Sequence, residues 1–559
     1  MGNIPTRDRD GQRGIGMSRK DDLEYLRLSR PRALLYDMAI FICGLPQGAV
    51  ALLRRLLRWC YGLIPAARDE VHMLIDTFWR GNWAVKLSYA IFGLGNFYYG
   101  QPLRGALFLI FEVVFVFYTF VPGGARHWLG ALAKDTSLLA RSGVEWLAKS
   151  NFLQTGRTVG DVPPRKELVQ GLLGTVETTV YGDDSVKVLL YALLSIFFIV
   201  AFLYTWRLQI RQCRTCMDIT AAGKRVRSGK QDLQSLLDDQ FHKTMLALPL
   251  TGILAFTVLP IIYMVLIAFT SYDAANDGYA NLFSWVGLSN FNQLLDFGYG
   301  GLGLAFGEIL AWTLMWAFFA TFSNYFLGML VAMMINKRGI RVKKLWRTVL
   351  VMTIAVPQFV SLLYVAKLFD SSGLVGRVLS QIPLVANYLS ANHYISLWDS
   401  PAVAKALLIL INIWVGIPYI MLIATGILLN IPKDLYESAR IDGASSLQQY
   451  TKITLPYMLF VTGPYLLTSF VGNLNNFNVI YLLTQNNPSI NTDIGTAGGV
   501  SVNHTDLLIT WLYKMTLGSA ESKYYLASII GILVFAVVAV LSLVVYNVIP
   551  SNKNEEDFG

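Results

Sequence analysis

Glu437-Ser438-Ala439-Arg440-Ile441-Asp442-Gly443-Ala444, followed by Ile453-Thr454-Leu455-Pro456, is a short polar segment set between two long apolar runs. Pro432 stands where a first helical turn tolerates it. Asp434 falls in that first turn and Arg440 near the last, as the helix dipole favours. Leu435 and Ala439 are four apart and share a face. Asp442-Gly443 is a turn signal. Ser445 or Ser446 can cap a second short helix in which Leu447 and Tyr450 share a face. The expectation is a helix-turn-helix standing off a membrane.

The rest of the chain supplies the membrane. Of 559 residues, 54% are hydrophobic and only 15% charged, the profile of a polytopic membrane protein. A soluble chain of this length would need several cores and far more surface charge. The net charge of +10 collects in loops between apolar runs. There it reads as membrane orientation, not as affinity for nucleic acid.

Eight apolar runs are long enough to span: 103–121, 186–206, 245–269, 309–335, 348–369, 402–429, 457–483 and 525–548. Glu112 in the first should face protein or water. Pro249 and Pro260 should kink the third. Arg207, Arg211, Arg214, Lys224, Arg225, Arg227 and Lys230 form one basic loop, and Lys337 through Arg347 another. By the positive-inside rule both are cytoplasmic, as are both termini. Segments 123–185, 271–306 and 485–523 then lie outside. The polar helix-turn-helix falls in the cytoplasm.

Residues 1–33 read as a surface arm without a signal-peptide pattern. Residues 34–65 read as an amphipathic segment, because spanning would bury Arg54, Arg55 and Arg58. Gly93-Leu94-Gly95-Asn96-Phe97-Tyr98-Tyr99-Gly100 suggests a tight interfacial turn or half-span. Four segments follow: an arm at 1–83, an N-terminal membrane segment at 84–240, a transmembrane core at 241–550 with the loop 432–456, and a tail at 551–559. Cys213 and Cys216 form a CxxC in the first basic loop. They lack two further ligands for zinc, so with Cys43 and Cys60 they read as reduced thiols. No metal or cofactor is expected.

Span seven carries Asn473, Asn475, Asn476 and Asn478. Amides in an apolar run are costly unless paired or wet. Asn473 and Asn476 share a face, with Ser469 one turn before. Span six offers Asn412, Trp414, Gly416, Pro418 and Tyr419. Amides, hydroxyls and rings suit a neutral polyhydroxylated ligand. The bland reading is that the asparagines join helices.

The loop resembles the coupling loop of bacterial ABC-importer permeases. Glu437, Gly443, Ile453, Leu455 and Pro456 fall in that family's register, with Ser438 in place of an alanine. The stretch from about Leu246 onward is similar to the large permease subunit of maltose-type oligosaccharide importers, the binding-protein-dependent inner membrane components. Ala355-Val356-Pro357, Asn412…Gly416…Pro418-Tyr419, Asn473-Leu474-Asn475-Asn476-Phe477 and Tyr481-Leu482-Leu483-Thr484 carry the likeness, with Thr505–Lys514 as the external segment before the last span. Ile354 and Gln358 stand where the maltose transporter has Tyr and Ser, and Gly472 replaces an aromatic residue.

The resemblance implies an all-α, type I ABC-importer permease of eight spans in the bacterial cytoplasmic membrane. It implies a sugar site lined by Asn412, Gly416, Tyr419, Ser469, Asn473 and Asn476. It also implies an ATPase contact at Glu437, Ala439, Asp442, Gly443, Ala444, Ile453 and Pro456. The implied partners are a second homologous permease, two ATP-binding subunits, a sugar-binding protein and an oligosaccharide, beside membrane lipid. The chain has no Walker A pattern, so ATP would be hydrolysed by another subunit, and no catalytic residue is expected here. The rival classes are a stand-alone secondary transporter or channel, and a membrane scaffold without a small-molecule substrate.

Overall fold

The computed structural model describes residues 68–121, 142–163, 165–171, 174–180, 182–227, 241–276, 281–297, 301–337, 342–484, 496–497, 500–517 and 522–548, with single positions between 229 and 238. The readings for 1–33, 34–65 and 551–559 lie outside them. The chain divides into two compact units, Met1–Val114 with Ala201–Asp239, and Phe115–Val200 with Gln240–Gly559.

The helices run in order as α1 (Trp83–Leu87), α2 (Leu94–Tyr98), α3 (Pro102–Phe120), α4 (Gly143–Lys149), α5 (Ser185–Ala221), α6 (Phe241–Ile253) and α7 (Leu259–Ile267). They continue with α8 (Leu302–Asn336), α9 (Lys343–Ala355), α10 (Gln358–Phe369), α11 (Pro401–Asn430), α12 (Lys433–Ile441), α13 (Ser446–Gln449), α14 (Leu455–Leu474), α15 (Phe477–Thr484), α16 (Leu508–Leu517) and α17 (Tyr524–Val548), with two short unnumbered helices, Leu374–Ser380 and Pro383–Ala391, between α10 and α11. An antiparallel hairpin, Arg165–Gly171 with Gly174–Val180, sits between α4 and α5. Among the described residues, eight helical stretches are long and apolar enough to cross a membrane. The all-α polytopic architecture expected from hydropathy is the one found.

Three expectations need correction. The helix of span two does not stop near Trp206 but runs to Ala221, because no glycine or proline interrupts it. Arg207, Arg211, Arg214, Cys213 and Cys216 therefore lie on a helix, not in a loop. Both cysteines are buried and outside any disulfide; their thiols face the side-chain oxygens of Asn96 and Gln101 at 3.7 and 3.5 Å. Span five is broken into α9 and α10. Val356 is extended (φ −78°, ψ 129°), as a residue before proline prefers, and Pro357 has no N–H to continue the ladder. Span seven is broken after Leu474, where α14 gives way to Asn475-Asn476 and then α15. In span three a π-helical turn, Leu254–Val258, joins α6 to α7 just before Pro260, which absorbs the proline's missing donor.

The larger unit buries several apolar clusters, two of which frame the site. One gathers Trp312 and Trp316 of α8, Leu362 and Val365 of α10, Leu408 and Ile411 of α11, and Val479 and Ile480 of α15. The other gathers Tyr325, Met329 and Ile335 of α8, Ile420, Met421 and Ala424 of α11, and Met458 of α14. Helices α8 and α11 run through both. The breaks in spans five and seven divide the flanking helices at the same layer. Thr321 and Asn324 on α8, and Asn412 and Gly416 on α11, occupy the level between the two clusters.

Candidate functional site

The interval between the clusters is polar. Asn412 is only 6% exposed, and its amide nitrogen finds no partner among the described residues. The side-chain oxygen of Asn324 is likewise unpaired. Gly416 lets the two helices close: a Cβ there would lie 2.3 Å from Asn324 Nδ2. Buried amides with unmet bonds cost about 1–3 kcal/mol each. They are retained where something else meets them or where function needs them.

Span seven contributes through its break. Asn473 donates from Nδ2 to Thr321 Oγ1 at 3.0 Å, and Asn476 donates to Asn473 Oδ1 at 3.3 Å. Asn476 also accepts from the Val479 N–H at 3.2 Å, so it serves as the cap that starts α15. Asn475 and Asn478 are exposed. The amide run is thus what lets the helix stop and restart with its backbone groups met. Ser469 shares a hydrogen bond with Tyr465, whose ring lies 6.2 Å from that of Tyr419.

A cavity of about 470 Å3 opens beside the break in span five, lined by Thr353, Ile354, Val356, Gln358, Ser361, Trp414 and Tyr419 among others. Trp414 and Tyr419 are half exposed and present their rings to it. Of the six residues expected at the sugar site, only Tyr419 lines this cavity. Asn473 and Asn476 form one network with Thr321, and Gly416 packs with Asn324. Thr321, Asn324, Gln358 and Ser361 were missed as members. Their only sequence signal was a polar residue inside an apolar run.

The polar loop has the expected helix-turn-helix form. α12 ends with Gly443 in the left-handed region (φ +77°). The Ala444 N–H donates to the Ala439 carbonyl at 2.8 Å and the Gly443 N–H to the Arg440 carbonyl at 3.0 Å. This is a Schellman closure, which needs a residue free to adopt positive φ. Ser445, not Ser446, is the next cap: its hydroxyl accepts from the Gln448 N–H, and Gln448 accepts from the Ser445 N–H. Tyr436 and Thr454 join hydroxyls at 2.9 Å, tying α12 to the turn of π-helix (Tyr450–Thr454) that leads into α14.

Glu437, Asp442 and Pro456 are exposed, while Ala439, Ala444 and Ile453 are partly covered. Glu437 makes no ion pair among the described residues. Leu435, Leu447 and above all Ile441, 86% exposed, turn apolar surface outward. Ile441 was not singled out from the sequence. An isoleucine on an amphipathic helix reads as core until the fold shows nothing over it.

A family model described as binding-protein-dependent transport system inner membrane component matches residues 324–553, a stretch that takes in the polar helix-turn-helix at 432–456. The maltodextrin transport system permease protein MdxF of Bacillus subtilis is 30% identical over 393 residues, 69% of this chain and 88% of that protein. The galactooligosaccharides transport system permease protein GanP of the same organism is 32% identical over 391 residues, 68% of this chain and 87% of that protein. A crystal structure of a bacterial ABC transporter involved in the import of the acidic polysaccharide alginate superposes with a TM-score of 0.43 at 22% identity, covering 58% of this chain and 100% of that one.

Proposed function

The chain belongs to the binding-protein-dependent transport system inner membrane components, and from that premise we propose that it carries a neutral oligosaccharide of the maltodextrin class across the cytoplasmic membrane. It is the permease subunit of an ABC importer. The observation that carries the substrate class is the chemistry of the cavity and the layer beside it. The lining holds two rings, an amide and hydroxyls, and no charged side chain. An ion or amino-acid site would set charge at that depth. Rings cover the apolar faces of a sugar while amides and hydroxyls match its hydroxyl groups. Asn412, Gly416, Tyr419, Ser469, Asn473 and Asn476 belong to the sugar path in this reading, joined by Trp414 and Gln358.

The test is uptake of a labelled linear glucose oligosaccharide, beside a labelled galactooligosaccharide, by the complete transporter in proteoliposomes. Loss of the Trp414 ring by Trp414→Ala should raise the half-saturating sugar concentration about tenfold, as expected for a stacking contact worth about 1–1.5 kcal/mol. Unchanged uptake of both sugars would remove the cavity from the path.

The working unit in this proposal is the chain with a second, homologous permease, two ATP-binding subunits and an external sugar-binding protein. The exposed face of α12, with Glu437 and Ile441, seats in the ATPase. ATP-driven closure moves this loop, and the rigid helices α8 and α11 carry the motion to the polar layer.

Both termini and the basic segment 337–347 are cytoplasmic in the same proposal. With Cys43 and Cys60 replaced by serine, Lys343→Cys should react with an impermeant maleimide only after the membrane is opened, and Leu288→Cys should react from outside in sealed cells. Outside labelling of Lys343→Cys would reverse the orientation.

A further inference from the structure

Helix α12 is loosely joined to the rest of its unit. None of its nine residues is buried. Ile431 and Pro432 before it are extended, with ψ of 125° and 130°, so its axis does not continue that of α11. After it the chain reverses at Gly443. A push on α12 therefore cannot pass along one continuous helix into the membrane. Among the described residues, one side-chain hydrogen bond leaves α12: the hydroxyls of Tyr436 and Thr454 meet at 2.9 Å.

Thr454 differs from the threonines around it. Thr451, Thr462 and Thr468 each donate to the carbonyl four residues back, a common use of a helical hydroxyl. The carbonyl so placed for Thr454 is that of Tyr450, and it accepts from the Leu455 N–H across the π-helical turn Tyr450–Thr454. Pro456 accounts for the widened turn, because it has no N–H and its ring would crowd the Lys452 carbonyl. Thr454 is only 3% exposed, yet its hydroxyl is turned to α12.

From Thr454 the chain runs directly into α14, which is tied to α8 at two further levels. The Thr462 hydroxyl donates to the Met458 carbonyl, so the Tyr325 hydroxyl of α8 is the donor in its 2.9 Å bond to Thr462. Asn473 donates to Thr321 of α8 at 3.0 Å. Thr454 and Asn473 stand nineteen residues apart, about 28 Å at 1.5 Å per residue. Met458 and Tyr325 also share the apolar cluster in which α8, α11 and α14 meet. One helix thus has the hydroxyl that meets α12 at one end and the amide of the polar layer at the other.

We propose that the Tyr436–Thr454 pair is the contact through which α12 moves the membrane helices, with α14 the helix moved first and α8 drawn after it through Thr462 and Asn473. Tyr436 and Thr454 are positioning residues in this account, since neither touches the sugar path. The inference rests on the reading that α12 seats in the ATPase and adds where the motion enters the membrane.

The experiment uses the complete transporter in proteoliposomes, with Tyr436→Phe, Thr454→Val, the double variant and Thr454→Ser. Three quantities are read: labelled maltodextrin imported per ATP hydrolysed, ATP hydrolysis in the presence of the sugar-binding protein, and retention of the ATP-binding subunit on the permease. Each single variant should lower the sugar imported per ATP about two- to tenfold, the span of one hydrogen bond, with retention unchanged. The double variant should be no worse than either single one, as for two groups that act only through each other. Thr454→Ser should restore most of the ratio. An unchanged ratio in both single variants would overturn the proposal. So would losses that multiply in the double variant, or a fall in retention that matches the fall in transport, since the pair would then only shape the seat. Ile441→Asp, measured alongside, tests the seat itself. If it keeps the ATP-binding subunit, the underlying reading fails and this inference with it. If it releases the subunit while Tyr436→Phe keeps the full ratio, the inference alone fails.

Discussion

Gly443→Pro is expected to leave the permease in the membrane and to abolish ATP-driven uptake. The native turn needs φ near +77° at this position, and proline is locked near −65°. It also loses the N–H that closes on the Arg440 carbonyl. The cost is about 1–2 kcal/mol for the forbidden backbone region plus about 1 kcal/mol for the bond. That is enough to disorder α12 without reaching the two membrane clusters. Ile441→Asp separates geometry from contact. The side chain is almost wholly exposed, so the fold should bear the change at a cost within about 0.5 kcal/mol. A charge set in the centre of an apolar contact should weaken it by about 2 kcal/mol or more, some thirty-fold. The measurement is retention of the ATP-binding subunit on the detergent-solubilised permease, with uptake alongside. Full retention and full uptake in both variants would show that the energy-coupling contact lies elsewhere.

These two residues also mark what a sequence discloses and what it withholds. Gly443 was legible because a turn after a short polar helix leaves few alternatives to a left-handed residue. Ile441 was not, because its meaning depends on an absent neighbour. The spans were legible because burial in lipid demands long apolar runs, and hydropathy needs no tertiary information to see them. Their interruptions were harder. Val356-Pro357 and Asn475-Asn476 lie inside runs that average as apolar, so a window over composition smooths them away. The local rules that reveal them concern single residues: extension before a proline, and a side-chain cap at a helix start. The length of α5 shows the reverse error. Arg207 was read as the end of the helix when it marks only the end of the apolar stretch. A helix ends where its backbone is stopped, and a membrane span ends where charge begins. The polar layer was half legible. Asn473 and Asn476 announced themselves as a cluster. Asn324 and Thr321, from the short Thr321-Phe322-Ser323-Asn324 stretch of span four, acquire meaning only from the helices that cross them.

Asn473→Leu is expected to remove most sugar uptake while ATP hydrolysis and membrane insertion persist. The amide is not idle in the fold, since it holds Thr321 at 3.0 Å and accepts from Asn476. A loss of uptake alone could therefore report broken helix contact and not a lost sugar contact. Thr321→Val resolves the two. It breaks the same bond from the other side, keeps the volume close, and leaves the Asn473 amide free to meet a sugar hydroxyl. If the amide serves transport, Asn473→Leu should cost about 1–3 kcal/mol of sugar interaction, a roughly five- to 150-fold rise in the half-saturating concentration. Thr321→Val should stay within a few-fold of the parent. Asn476→Leu should also lower stability, because it strips the cap from α15 at about 1 kcal/mol. Uptake of labelled oligosaccharide and ATPase rate are measured on the same proteoliposomes. If Thr321→Val and Asn473→Leu lose uptake equally, the asparagine is a helix tie and the sugar passes over the Trp414–Tyr419 face alone.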